Sequence, residues 1–314
     1  MKIVVLDEVE LSDEQRTKLE SVGNVTYYGD NPSTESETVR RLDGCDVAIL
    51  GWTSVNGSVF DQLENLKMIS VWATGYDYVD VAEASRQGVV VANVPSYAGV
   101  AVAEVTLGLL IELSRHVSKA AQAVRRGEYS WRPFRGCELR GKTLGVIGTG
   151  DIGGELCRIG TSLGMRVLGF SRSMSSVRSA EIGCQYVPLG VLLAESDYIS
   201  LNVPLTAETK GMIGANELSS IKRGSYIIST TRADVIDQSA LKVSLKSGSL
   251  LGAALDEAHL PDDELLNLSN VVVTPHIGFY TDEALVRKGD LCVDNVVKWA
   301  GGKPQNVVNA GCSS

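Results

Sequence analysis

The stretch TLGVIGTGDIGGELCRIGTSLGMRVLGFSRS, residues 143–173, constrains the chain more than any other. An apolar run ends at Gly148, and glycines at 148, 150 and 153 form G-x-G-x-x-G around Asp151 and Ile152. A helix-period segment follows, and a second apolar run, RVLGF, closes the unit. Gly148 permits a tight turn, Gly150 lets the backbone approach a pyrophosphate, and Gly153 lets helix and strand pack closely. The helix N-terminus adds N–H groups and a positive dipole end. Strand, glycine turn, helix and strand in register predict a parallel βαβ unit that binds a dinucleotide.

At the end of the second run an NAD site usually places Asp or Glu on the ribose 2′-hydroxyl. Here the residues are Ser171, Arg172 and Ser173. A hydroxyl beside a guanidinium suits a 2′-phosphate, which a carboxylate would repel. NADP is therefore expected, with NAD possible if Arg172 is only a solvated strand-end residue.

The rest of the chain repeats the alternation. KIVVL, VTYYG, DVAIL, LKMISV and GVVVANV read as strands before residue 95, and Ser12 with Gln15 has capping-box spacing ahead of a helix stopped at Gly23. A second series has TLGVIG, RVLGFS, YISLN, SYIIST, LLGAAL and VVVTP. Between the two series, residues 99–126 read as one long helix, apolar enough in its first half to be buried between two bodies. In the connection after it, Trp131 and Phe134 suit either a subunit contact or a loop tucked on its own domain. The stretch TDEALVRKGDLCVDNVVKWAGG (281–302) is helical by period. At 314 residues, two α/β domains with parallel sheets are expected.

A formal charge of −9 argues against nucleic-acid binding, which needs a basic face. No apolar run reaches the ~20 residues of a membrane span, and the opening MKIVVLDEVE meets acids too early for a secretory signal. Six cysteines without C-x-x-C spacing read as reduced thiols, mostly buried, in a cytoplasmic protein, and no metal is expected.

Further motifs follow the glycine turn in order: NVPLTAETKGMI (202–213), STTRADVIDQSAL (229–241), GAALDEA (252–258) and TPHIG (274–278). Upstream stand ATGYDYVD (73–80) and VAE (102–104). Together they resemble the D-isomer-specific 2-hydroxyacid dehydrogenases over nearly the whole chain. The resemblance implies a discontinuous substrate domain, residues 1–97 and 283–314, with a Rossmann-like NAD(P) domain, 98–282, inserted into it, and a homodimer. It implies that Arg232 grips the substrate carboxylate and that His276 exchanges a proton with the substrate oxygen. Thr74, Gly75 and neighbouring Ala73 match the loop that faces the substrate. Val203, Pro204, Thr209, Thr230, Thr231, Asp256 and Gly278 match positions lining the cofactor, Asp256 toward the nicotinamide. Trp52 could roof the substrate pocket or pack in the core. The cofactor loop is similar to that of glyoxylate and hydroxypyruvate reductases, which implies NADPH-dependent reduction of a small 2-oxo acid. Phosphoglycerate, formate-like or phosphite-like substrates, or a non-catalytic dinucleotide sensor, are the alternatives.

One element departs from the family. Its catalytic Glu follows the LD pair by five residues, and here that position is Pro261. Either His276 lacks an acid, in which case reduction should weaken as pH rises through roughly 6–7, or another residue has taken the role. Glu257 is the first candidate and His259 a substitute, while Asp262, Asp263 and Glu264 read as solvated turn residues.

Overall fold

The computed structural model describes residues 1–309, and for Asp263 the backbone alone. Cys312 lies outside the described residues. Of the other five cysteines, Cys45, Cys157, Cys184 and Cys292 are buried, Cys137 is half-buried, and none is bridged. The chain divides into two compact units, Met1–Tyr97 with Thr281 onward, and Ala98–Tyr280.

The first unit has a five-stranded parallel sheet of β1 (Lys2–Val5), β2 (Asn24–Tyr27), β3 (Val47–Leu50), β4 (Met68–Val71) and β5 (Val90–Ala92). The order is β2-β1-β3-β4-β5. Every residue of β3 and β4 is buried, as strands covered on both faces require. The capping box forms: Gln15 N–H donates to Ser12 Oγ and Ser12 N–H to Gln15 Oε1. The helix Asp13–Glu20 stops before Gly23, whose role is different from the expected one. A Cβ at Gly23 would stand 2.6 Å from the Met1 carbonyl oxygen, so this glycine serves the close pass beside β1. The closing helix, Asp282–Ala300, packs on Asp13–Glu20 and on β4. There Gln15 Nε2 donates to the Val286 carbonyl (3.0 Å) and to Asp290 (2.9 Å).

The second unit has seven parallel strands: β6 (Thr143–Ile147), β7 (Arg166–Phe170), β8 (Gln185–Tyr186), β9 (Tyr198–Leu201), β10 (Ser225–Ser229), β11 (Leu250–Leu255) and β12 (Val271–Val273). Their order, β12-β11-β10-β9-β6-β7-β8, reverses direction at β6. Ligands of such sheets bind at the carboxyl ends of the strands beside that reversal. The two-residue β8 is too short to leave a periodicity in the sequence.

The long helix is two helices, Gly99–Arg115 and Val117–Arg125. His116 separates them in the left-handed region, φ 55°, and the Glu112 carboxylate accepts from Ser118 N–H (2.8 Å) and Oγ–H (2.7 Å) beyond the break. No glycine or proline marks this position, so periodicity alone ran through it. The first helix buries one face against Asp151–Ser162, β10 and β11 of its own unit, while Val100 and Ile111 are exposed. Tyr129 and Trp131, in the connection that follows, are 92% and 81% exposed, whereas Phe134 is half-buried. No helix among the described residues is long and apolar enough to cross a membrane.

Candidate active site

The glycine turn lies at the carboxyl end of β6. Gly148 has φ +88°, and a Cβ there would come within 2.4 Å of the Asn202 carbonyl oxygen. A Cβ on Gly153 would sit 1.9 Å from the Gly148 carbonyl oxygen, so helix and turn touch through bare backbone. Gly150 differs: no heavy atom stands within 4 Å of where its Cβ would be. Neither fold nor packing requires glycine at 150, and open space before a helix N-terminus is what a pyrophosphate needs. Asp151 begins the helix, and Ile152 follows in its first turn. Ser171, Arg172 and Ser173 follow directly on β7, with Arg172 and Ser173 exposed. After β9, Thr209 Oγ–H donates to the Pro204 carbonyl (2.6 Å), folding the loop that carries Val203 back on itself. The residues present therefore fit a dinucleotide.

The carboxyl ends of β10, β11 and β12 bring Arg232, Glu257 and His276 together. Arg232 immediately precedes a short 3-10 turn, Ala233–Val235, after Thr230 and Thr231. Glu257 follows β11 by two residues, and its Oε2 lies 3.0 Å from Arg232 Nη1 and 3.0 Å from His276 Nδ1. Its Oε1 accepts from Ala233 N–H at 3.1 Å. Burial works to raise the Glu257 carboxyl, but the His276 hydrogen bond, the Ala233 N–H and the Arg232 charge outweigh it and hold it down at about 2. Glu257 is therefore a permanent anion bridging a cation and an imidazole. The reading of His276 as lacking an acid does not hold, because Glu257 stands against its Nδ1.

His276 itself is held at φ 55°, a region that non-glycine residues enter only when their surroundings enforce it. The enforcement is visible. His276 N–H donates to the Asp256 carbonyl (2.8 Å), and the Asp256 carboxylate accepts from Ile277 N–H (3.0 Å), Gly278 N–H (2.7 Å) and the Thr274 hydroxyl. A Cβ on Gly278 would meet Asp256 Oδ2 at 2.8 Å. Asp256, expected toward the nicotinamide, thus has its carboxylate engaged in bracing the histidine turn.

His259 does not join this cluster: it is largely exposed, with Nε2 3.5 Å from Asp234. Asp262 and Glu264 are ion-paired with Lys242, at 2.8 and 3.2 Å, and Glu264 also with Lys246. They anchor the turn to the helix Gln238–Lys246 rather than merely solvating it.

Trp52, Ala73, Thr74 and Gly75 lie in the first unit. Trp52 is exposed on the loop after β3, and its backbone N–H donates to buried Asp7 Oδ2 (2.6 Å). Thr74 Oγ–H donates to the Val94 carbonyl (2.7 Å), and Asn93 Nδ2 donates to the Thr74 carbonyl (2.8 Å), which pins the loop after β4. Among the described residues no group of three or more His, Cys, Asp or Glu could hold a metal ion.

The profile of the D-isomer specific 2-hydroxyacid dehydrogenase, NAD binding domain, matches residues 107–278. The chain is 35% identical over 311 residues to a glyoxylate reductase of Korarchaeum cryptofilum, covering 96% of this chain and 94% of that one. The chain belongs to the D-isomer-specific 2-hydroxyacid dehydrogenase family. A hydroxypyruvate reductase of Blautia hydrogenotrophica is 34% identical over 98% of this chain and all of its own length. Among solved structures, an acyclic imino acid reductase in complex with NADPH and D-Arg superposes with a TM-score of 0.91, at 32% identity over 98% and 100% of the two chains. The protein is thus an oxidoreductase with an NAD(P)-binding domain. The family's spacing rule had left the acid between Asp256 and His276 undecided. The signal that resolves it is the contact between loops, which no interval in the sequence encodes.

Proposed function

We propose that this dehydrogenase reduces a small 2-oxo acid, glyoxylate or hydroxypyruvate foremost, to the D-2-hydroxy acid with NADPH, as a cytoplasmic homodimer. The observation that carries the reading is the convergence of Arg232 and His276 on one ionised carboxylate, Glu257. Arg232 binds the substrate carboxylate. Its planar guanidinium carries five N–H donors and stays charged at any useful pH, so one contact with Glu257 does not exhaust it. His276 delivers a proton to the carbonyl oxygen through Nε2, while Glu257 at Nδ1 orients the ring. In the reverse direction His276 takes that proton back. NADPH would supply the hydride to the carbonyl carbon, held by Gly148, Gly150 and Gly153 with Asp151 and Ile152 at the helix start. Ser171, Arg172 and Ser173 would meet its 2′-phosphate, with Val203, Pro204, Thr209, Thr230 and Thr231 lining the cofactor elsewhere. For Trp52, Ala73, Thr74 and Gly75, contact with substrate rests on the family resemblance. Exposed Tyr129 and Trp131 are the aromatic surface offered for the subunit contact.

The test follows oxidation of NADPH and NADH against glyoxylate, hydroxypyruvate, pyruvate and longer 2-oxo acids. NADPH should win by about tenfold or more in kcat/KM, as expected for a paired 2′-phosphate. A tenfold preference for NADH would reverse the cofactor reading, and absence of turnover on every substrate would reverse the catalytic one. The likeness to the imino acid reductase supports a second reading, reduction of the C=N bond of an imino acid by the same groups. Chromatography of products formed with and without ammonium separates them: D-amino acid in the ammonium reaction favours the second, hydroxy acid alone the first.

A further inference from the structure

The first unit buries a lysine that the reaction above does not use. Lys288, on the helix Asp282–Ala300, is 1% exposed. Its Nζ stands 3.4 Å from the centre of the Trp72 ring, 5.3 Å from that of Tyr97 and 5.5 Å from that of Trp52. Two of these rings carry the loops assigned above to the substrate. Trp52 lies in the loop after β3, and Trp72 directly precedes Ala73, Thr74 and Gly75. Beside the ammonium, the buried indole N–H of Trp72 has no acceptor among the described residues. The Trp72 ring joins this ammonium to the loop that follows it, so the potential of the cation reaches that loop and favours an anion bound there.

We infer that Lys288 is a positioning residue for the anionic substrate, holding Trp52 and the Trp72–Gly75 loop through cation–π contacts and lending that loop positive potential. The inference rests on the reading that these loops contact the substrate. Burial pushes the Lys288 ammonium down to about 7, against the pull of Cys292, one turn along the same helix, and of the Glu10 carboxylate. Neighbouring charged groups have partners of their own. Arg287 turns to the Tyr97 carbonyl (2.9 Å), and Asp7 is held by the backbone N–H groups of residues 51–53. On the helix Asp13–Glu20, Gln15 and Lys18 face Asp290 and Asp294. Protonation of Lys288 and binding of a carboxylate should therefore be linked, each favouring the other.

The test compares wild type with Lys288→Met from about pH 6 to pH 9. In the wild type KM for the 2-oxo acid should rise about tenfold over that span as the lysine loses its proton. In Lys288→Met, KM should hold near the wild type's alkaline value at every pH, with kcat within about twofold of wild type. A purely structural lysine would leave the slope of KM against pH intact, and that result overturns the inference. Calorimetry gives a readout independent of folding in the Met variant. Titrating oxalate into the His276→Asn holoenzyme in buffers of different ionisation enthalpy should show net proton uptake near pH 7.5, and zero uptake refutes the linkage. Trp52→Ala separates the two layers. If it leaves KM unchanged, the loops do not serve the substrate and both readings fall. If it raises KM while Lys288→Met behaves as wild type, only the role of Lys288 falls.

Discussion

Asp7 and Glu257 stand at the carboxyl ends of parallel strands in different units, and each accepts hydrogen bonds from the loop of a neighbouring strand. Asp7, after β1, accepts from the N–H groups of Gly51, Trp52 and Thr53 (2.7, 2.6 and 2.9 Å) and from the Thr53 hydroxyl. It is fully buried. Glu257, after β11, accepts from one N–H but turns its other oxygen to Arg232 and His276. The first carboxylate occupies a nest of amides, the kind of concavity that elsewhere binds phosphate. It fixes the shape of a loop and leaves no place for an anion there. The second has partners that carry protons and charge, and the proposed reaction uses both of them. Asp256 and Glu257 show the same division in adjacent residues: one braces the histidine turn through backbone N–H groups, the other meets the imidazole. The two acids of each pair are told apart by their partners more than by their burial.

The comparison breaks first at Glu257. Glu257→Gln keeps the shape and removes the charge, so reductive kcat should fall roughly 10²–10³-fold, the scale of positioned acid–base catalysis. A kcat within threefold of wild type would make Glu257 another brace. Asp7→Ala should act on stability, at about 2–3 kcal/mol for buried donors losing a charged acceptor. Urea unfolding measures it, and added phosphate or sulfate should restore part of the loss by entering the emptied nest. No anion effect would mean that the loop collapses without its acid. Gly150→Ala sharpens the contrast with the open turn of the second unit. Its methyl meets nothing in the protein, so melting temperature should hold while NADPH affinity falls about tenfold or more by calorimetry. Unchanged affinity would place the pyrophosphate elsewhere.

The smallest effect is a slope. The Glu257 carboxyl titrates at about 2 in the folded chain and near ~4.3 when unfolded. Its contribution to stability is thus complete above about pH 5 and is lost as pH falls toward 2, because the unfolded chain takes up the proton first. Stability measured between pH 5 and 2 should fall less steeply in Glu257→Gln, and an unchanged slope would mean that the ion pairs add nothing.

Much of this protein was legible in its sequence because the deciding interactions are local. Ser12 and Gln15 cap a helix across three residues, and Gly148 and Gly153 answer to backbone within their own strand–turn–helix. Largely apolar runs of five to seven residues identified every strand except β8, which has two. The Arg232 and His276 motifs were legible through resemblance, each being a short segment whose own turn presents the side chain.

Tertiary structure decided what depends on the course of one loop past another. Glu257 meets His276 because the ends of β11 and β12 lie side by side. Counting residues from Asp256 pointed to Pro261, since a count measures contour length and not the distance across a sheet. Lys288 sits among aromatic rings from three separate segments, though its position in the sequence reads as one more polar turn of an amphipathic helix. The break at His116 is stabilised by Glu112 reaching past it to Ser118. Periodicity assigns the strands and helices, because hydrophobic patterning and backbone hydrogen bonding repeat over a few residues. Charges and hydrogen bonds find their partners only after the strands have been brought into order, and in this family member that step joins the acid to the histidine.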